Sequence, residues 1–188
     1  MNYADYFWQG DKVRLRPSGS DDWEQVYRES FDSPARQVLQ LGIELPQSPE
    51  MARQAVEKYV NCKDVDGVII FAIESLDGET VGGISLHSRN RKNGTFGFGV
   101  VIYQPFRRNG YAQDAVSILL RYCFQERRYQ KCNSACVHTN TASIARHKGL
   151  GFSEEGRRRR NFFFNGQYYD DVLFGLTKEE FDKVAVES

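Results

Sequence analysis

From Lys12 to Pro17 basic and apolar residues alternate ("KVRLRP"), which predicts a first strand ending at the proline. "SDDWEQVYRESF" changes to helical spacing, with Asp21 as a candidate cap and Glu24 three residues on as its capping-box partner. Ser48-Pro49 marks another helix start, and Met51, Ala52, Ala55, Val56, Tyr59 and Val60 give that segment one apolar face. The period then returns to two. "GVIIFAIES" and "ETVGGISLHS" read as strands joined through "LDG", and "RNRKNG" turns the chain into a third strand, "TFGFGVVIY". After "QPFRRNG" comes a helix with an apolar stripe at Ala115, Val116, Leu119, Leu120, Cys123 and Phe124. "KCNSACVHT" is a strand and "NTASIARHKGLGF" a short helix ending at glycine. "RNFFF" and "YYDDVLFGL" flank the hairpin turn "NGQ". The class is α+β, a mixed and mostly antiparallel central sheet of about seven strands with helices on both faces.

A chain of 188 residues is expected to form one domain, 1–188 with its core over 12–184, large enough to bury a core without disulfides or metals. Lys+Arg and Asp+Glu both number 25, so no global charge recommends nucleic acid or a membrane surface as partner. The local run Arg157 to Arg160 reads as a solvated face. No secretory signal pattern opens the sequence, and no apolar run approaches the ~18 residues of a membrane span, which points to the cytoplasm. Cys62, Cys123, Cys132 and Cys136 lack CxxC spacing and lie in apolar or strand-like segments; reduced, mostly buried thiols are expected, with no metal site.

Candidate chemistry concentrates at "QPFRRNGYAQDAV", a sharp basic turn between a strand and a helix. A helix N-terminus leaves its first N–H groups unpartnered and carries roughly half a positive charge, so such a turn can cradle phosphate. Gly110 permits close approach or a positive φ, Ala112 keeps the helix start free of bulk, and Arg107 and Arg108 add cationic charge. No Lys-Ser/Thr follows Gly110, which excludes a nucleoside-triphosphate P-loop. "GFG" at Gly97 to Gly99 lies inside a strand, the wrong place for a dinucleotide fingerprint.

Arg107 to Ala112 fits Arg-x-x-Gly-x-Ala, and with "NTASIARHKGLGF", "SEEGRRRRNFFFNGQYYDD" and the closing "EEF" the chain resembles the GNAT superfamily of acetyl-coenzyme A-dependent N-acetyltransferases. The resemblance is to the branch of Rim-type ribosomal-protein N-terminal acetyltransferases and spermidine acetyltransferases, over residues 12 to 184. It implies acetyl transfer from acetyl-coenzyme A, with no metal, to a primary amine on a peptide, a protein N-terminus or a small molecule; a homodimer is compatible with it. It assigns the pantetheine arm to the backbone of Val100, Val101 and Ile102. The pyrophosphate falls to the amides of Arg107, Arg108, Asn109, Gly110, Tyr111, Ala112 and Gln113.

Asn140 and Ser143 would meet the cofactor from the last short helix, where Asn140 can also cap. His147, two turns after Asn140 on the same face, stands where relatives carry a tyrosine that protonates the departing thiolate. Relatives often place a glutamate base where this chain has Gly97, and His87 is the substitute on offer. The acceptor region, roughly 21–61 and 160–171, shows no obvious polycation pocket, which ranks spermidine below peptide N-termini and small amines. The rival reading is a non-catalytic acyl-coenzyme A-binding module on the same fold.

Overall fold

The computed structural model describes residues 3, 5–39 and 41–187; residues 1, 2, 4, 40 and 188 of the expected domain lie outside them. In chain order the elements are β1 (Val13–Pro17), α1 (Trp23–Glu29), α2 (Ser33–Leu39), α3 (Pro49–Glu57), β2 (Ile69–Ser75), β3 (Thr80–Asn90) and β4 (Thr95–Ile102). There follow α4 (Tyr111–Arg121), β5 (Lys131–Val137), α5 (Thr141–Gly149), β6 (Ser153–Phe164), β7 (Gln167–Thr177) and α6 (Lys178–Glu187). The strands form one seven-stranded sheet in the order β1-β2-β3-β4-β5-β7-β6, and the β4–β5 pair is parallel with α4 as its crossover. The α+β expectation holds. Among the described residues no helix is long and apolar enough to cross a membrane.

Strand alternation sorts the two faces of the sheet. Ile84 and Leu86 on β3, Phe96 and Phe98 on β4, and Val172, Phe174 and Leu176 on β7 are buried in one cluster with α4. All six residues of the expected α4 stripe are in that cluster. The opposite face carries Ser85, His87, Gly97 and Gly99, and there α1, α2 and α3 enclose a cavity against β3 and β4. The basic run Arg157 to Arg160 is exposed along β6. Cys123 and Cys132 are buried, Cys62 and Cys136 half-buried.

One carboxylate fixes where α4 begins. Asp114, in its first turn, accepts from the backbone N–H groups of Asp11 (3.3 Å), Lys12 (2.8 Å) and Val13 (2.9 Å). The chain entering β1 is thereby stapled to α4, and the carboxylate lies so close over Gly10 that a Cβ there would collide with it.

Local expectations are corrected in three places. Asp22, not Asp21, takes the first-turn role, accepting from Gly19 N–H at 2.8 Å while pairing with Arg16 at 2.7 Å. Asp21 is exposed, whereas Asp22 lies beneath the β1 arginine. Ser33–Leu39 forms a helix that periodicity in so short a span could not announce. On α3, capped by Ser48 as expected, Ala52 and Val56 are buried but Met51 is 55% exposed, so the apolar face is narrower than its letters suggest.

Asp114→Ala should destabilise the protein by about 2–3 kcal/mol, because several backbone donors lose a charged acceptor at once. Urea denaturation of the variant measures it.

Candidate active site

After Ile102 the chain makes a single 3₁₀ turn, Gln104–Phe106, and then enters left-handed backbone twice, at Arg108 (φ 68°) and Gly110 (φ 79°), before α4 starts at Tyr111. A left-handed arginine costs on the order of 1–2 kcal/mol, so the surrounding structure imposes it. The consequence is a run of backbone N–H groups without acceptors. Among the described residues none of the amides of Arg108, Asn109, Gly110, Tyr111, Ala112 and Gln113 has a partner, and Asp114 N–H is the first to bond, to Gly110 C=O at 3.2 Å.

The side chains around the turn depart from expectation. Arg107 does not face it: its guanidinium bonds Ile102 C=O (3.0 Å) and pairs with Asp32 at the head of α2 (2.6 Å). The Arg107 N–H points to Gln104 C=O at 3.5 Å. Arg107 is therefore withdrawn from the anion-binding set on both counts. Lys12 lies at the turn instead: its ammonium bonds Asn109 C=O at 3.0 Å and would lie 2.9 Å from a Cβ at Gly110. Sequence reasoning missed Lys12 because ninety-seven positions separate it from Asn109; the Asp114 staple that carries it there is equally non-local.

β4 presents one free edge. It pairs with β5 only at Thr95↔Lys131 and Phe96↔Cys132, after which the two strands part. Tyr103 N–H bonds Val81 C=O on β3, so alternation turns the polar groups of Val100 and Ile102 to the parted side. Ile102 spends its carbonyl on Arg107, which leaves Val100 as the open donor–acceptor pair. Val101 faces β3 instead, its carbonyl packed against Gly82. Bare Gly97 admits the imidazole of His87, whose ring carbon would lie 3.0 Å from a Cβ there. His87 is half-buried, and burial lowers its pKa despite a hydrogen bond to the Phe98 backbone.

On α5, Asn140 caps the helix by accepting from Ser143 N–H at 3.1 Å. Ser143 is buried and its hydroxyl accepts from Arg146 at 2.9 Å. His147 is not placed to protonate a thiolate. It is 1% exposed, with Nδ1 donating to Ser143 C=O (2.7 Å) and Nε2 accepting from the Ser134 hydroxyl on β5 (2.8 Å). Its ring stacks on Phe174 at 4.5 Å and meets Phe152 edge-on at 5.1 Å. Burial pushes its pKa down to about 4, so it carries no proton to give near neutrality.

The cavity against β3 and β4 measures about 480 Å³ and reaches the backbone of Gly99, Val100 and Val101. Buried Tyr103 lines it, its hydroxyl pushed to about 12 by burial and by the nearby Asp22 and Glu29 carboxylates.

Turn, open strand edge and cavity thus meet at the end of β4, and the sequence of the whole region has known counterparts. Residues 12–153 match the family described as acetyltransferase (GNAT) domain. The chain is 35% identical over 176 residues, 94% of its length and 96% of the relative's, to an uncharacterized N-acetyltransferase from the SPbeta prophage of Bacillus subtilis. It is 27% identical to the spermidine N(1)-acetyltransferase of Escherichia coli K12, covering 90% of this chain and 88% of that one. The fold matches the spermidine N-acetyltransferase of Vibrio cholerae, solved with CoA and spermine, at a TM-score of 0.77, with 19% identity and coverage of 90% and 97%. The protein belongs to the GNAT acetyltransferase family. Within that family it is an N-acetyltransferase, an enzyme and not a non-catalytic binding module.

His147 has a structural signature that can be measured. With a folded pKa near 4 against an ordinary 6.5, the unfolded chain binds the proton first. Stability should therefore be full above pH 6.5 and fall as pH drops toward 4, a slope that His147→Gln removes in urea titrations. His147→Ala should lower stability by about 2–4 kcal/mol through the lost packing and hydrogen bonds, with turnover per folded molecule unchanged.

Proposed function

We propose that the 108–113 turn holds the pyrophosphate of acetyl-coenzyme A and that the acetyl group passes directly to a primary amine entering from the α1–α3 cavity. The observation that carries this reading is the run of free amides from Arg108 to Gln113 at the N-terminus of α4, beside the unpaired edge of β4. The residues fit the molecule. Left-handed Gly110 leaves the backbone bare for close approach, Lys12 adds a cation, and Val100 offers an N–H and a C=O to an extended amide-containing arm, as a neighbouring strand would.

Acetyl-coenzyme A, when bound, supplies the thioester carbonyl that the amine attacks, with a thiolate departing. The chain's own contribution is chiefly position. The Val100 N–H can steady developing negative charge on the carbonyl oxygen, and the cavity walls orient the amine. No carboxylate occupies position 97, and burial lowers the pKa of His87, which weakens it as a base. In this reading the amine gives its proton to solvent. A thiol pKa near ~8.5 makes the leaving group a fair one, so solvent can also protonate the thiolate once His147 is excluded.

Two measurements test this. Gly110→Val imposes a β-branched residue on left-handed backbone against Lys12, and should weaken acetyl-coenzyme A binding by on the order of 2 kcal/mol or more. Calorimetry on the folded variant reads it, and an unchanged affinity would displace the turn from its role. Activity should keep rising with pH toward the pKa of the amine, with the same profile in His87→Ala; a plateau near neutrality lost in that variant would identify His87 as the base.

A further inference from the structure

The charges in the α1–α3 cavity point to a class of acceptor. Five charged side chains line it, Asp22, Glu29, Arg36, Glu44 and Arg107. Four are already matched: Asp22 pairs with Arg16 at 2.7 Å, Arg36 with Glu44 at 2.6 Å, and Arg107 with Asp32 at 2.6 Å. Glu29 is different. Among the described residues no cation lies within ion-pair distance of it, and its two oxygens accept only from neutral donors at long range, Gln25 Nε2 at 3.3 Å and Gln104 N–H at 3.2 Å. A half-buried carboxylate with spare acceptor capacity on a cavity wall is complemented by a cation that arrives with the ligand.

Apolar side chains also line the wall, Val26 on α1, Leu39 on α2, Ala55 and Val56 on α3, and Tyr59 just beyond α3. A polyamine would have to leave its further ammonium groups against these side chains or against Asp22 and Glu44, carboxylates already paired with Arg16 and Arg36, which desolvation penalises. We propose that the acceptor is a monoamine with an apolar body, its single ammonium received by Glu29 and its body held by the α1–α3 wall. This rests on reading the β4 end as the acetyl-coenzyme A site. Glu29 binds and positions; the ammonium then releases its proton to water, and the neutral amine attacks. An arylalkylamine and a peptide N-terminus with an apolar first residue share this chemistry.

The test is calorimetric titration of coenzyme A-loaded protein with phenethylamine, leucyl-glycine amide and spermidine, alongside steady-state kinetics. Phenethylamine or the leucyl peptide should bind at least about ten-fold more tightly than spermidine, and the tighter of the two identifies the source. Glu29→Gln keeps an acceptor for Gln104 N–H and removes only the charge. It should weaken binding of that amine about ten-fold and raise its KM to match, while coenzyme A affinity stays within about two-fold. Leu39→Asp, at a position 45% exposed and so tolerant of change, should narrow the preference toward spermidine. Spermidine binding as tightly as the monoamines, or a monoamine affinity indifferent to Glu29→Gln, overturns the inference. Failure of the cofactor reading is distinguishable, because it shows in coenzyme A binding to Gly110→Val, and amine titration of the cofactor-free protein still reports on Glu29.

Discussion

The imidazole of His147 sits where three strands and a helix must agree on their spacing. It touches Phe98 on β4 (ring centroids 5.9 Å apart), the Ser134 hydroxyl on β5 and Phe174 on β7, and it is tied by Nδ1 to its own helix. β4 and β5 cease to pair after Phe96 and Cys132, and the space between them must be filled on one face and left open at the edge. An aliphatic side chain could fill it, but Ser134 would lose an acceptor inside the core, at a cost of about 1–3 kcal/mol. A neutral imidazole supplies volume, flat stacking faces and a matching acceptor together. The imidazole thus packs the core side of the parted strands.

The end of β4 is also where the two sides of the sheet are joined. On the α4 side, the Asp114 carboxylate draws the start of β1 to the turn and delivers Lys12. On the α1–α3 side, Glu29 receives Gln104 N–H and Asp32 receives Arg107, so the helices around the acceptor cavity are anchored on the segment that leads into the anion-binding turn. Each anchor uses a carboxylate on one element and backbone or guanidinium donors on the other. The geometry is therefore fixed by directional bonds near the surface, where apolar packing alone would allow sliding.

Much of the fold was legible because strand alternation, the Asn165-Gly166 turn and the α4 stripe are local signals, although β6 begins at Ser153, well before the strand read from Arg160. The turn was legible for the same reason, since glycine at position 110 and the helix start after it are consecutive. What could not be read was everything requiring a partner distant in sequence. The motif gives no sign that Arg107 is spent on Asp32, seventy-five positions away, nor that the cation at the turn is Lys12. His147 misled for a related reason. Its place in α5 is local, but whether its side chain met the cofactor or the core depended on Ser134 and Phe174, which helical periodicity cannot see.

The close fit of His87 over Gly97 couples the two positions. A Cβ at position 97 would come within 3.0 Å of the imidazole and 3.2 Å of Asn133 C=O, so a side chain gained there requires its neighbours to give by a few tenths of an ångström. Any side chain introduced at 97 and the ring at 87 therefore compete for one small space on the strand face, and a substitution at either position is felt at the other.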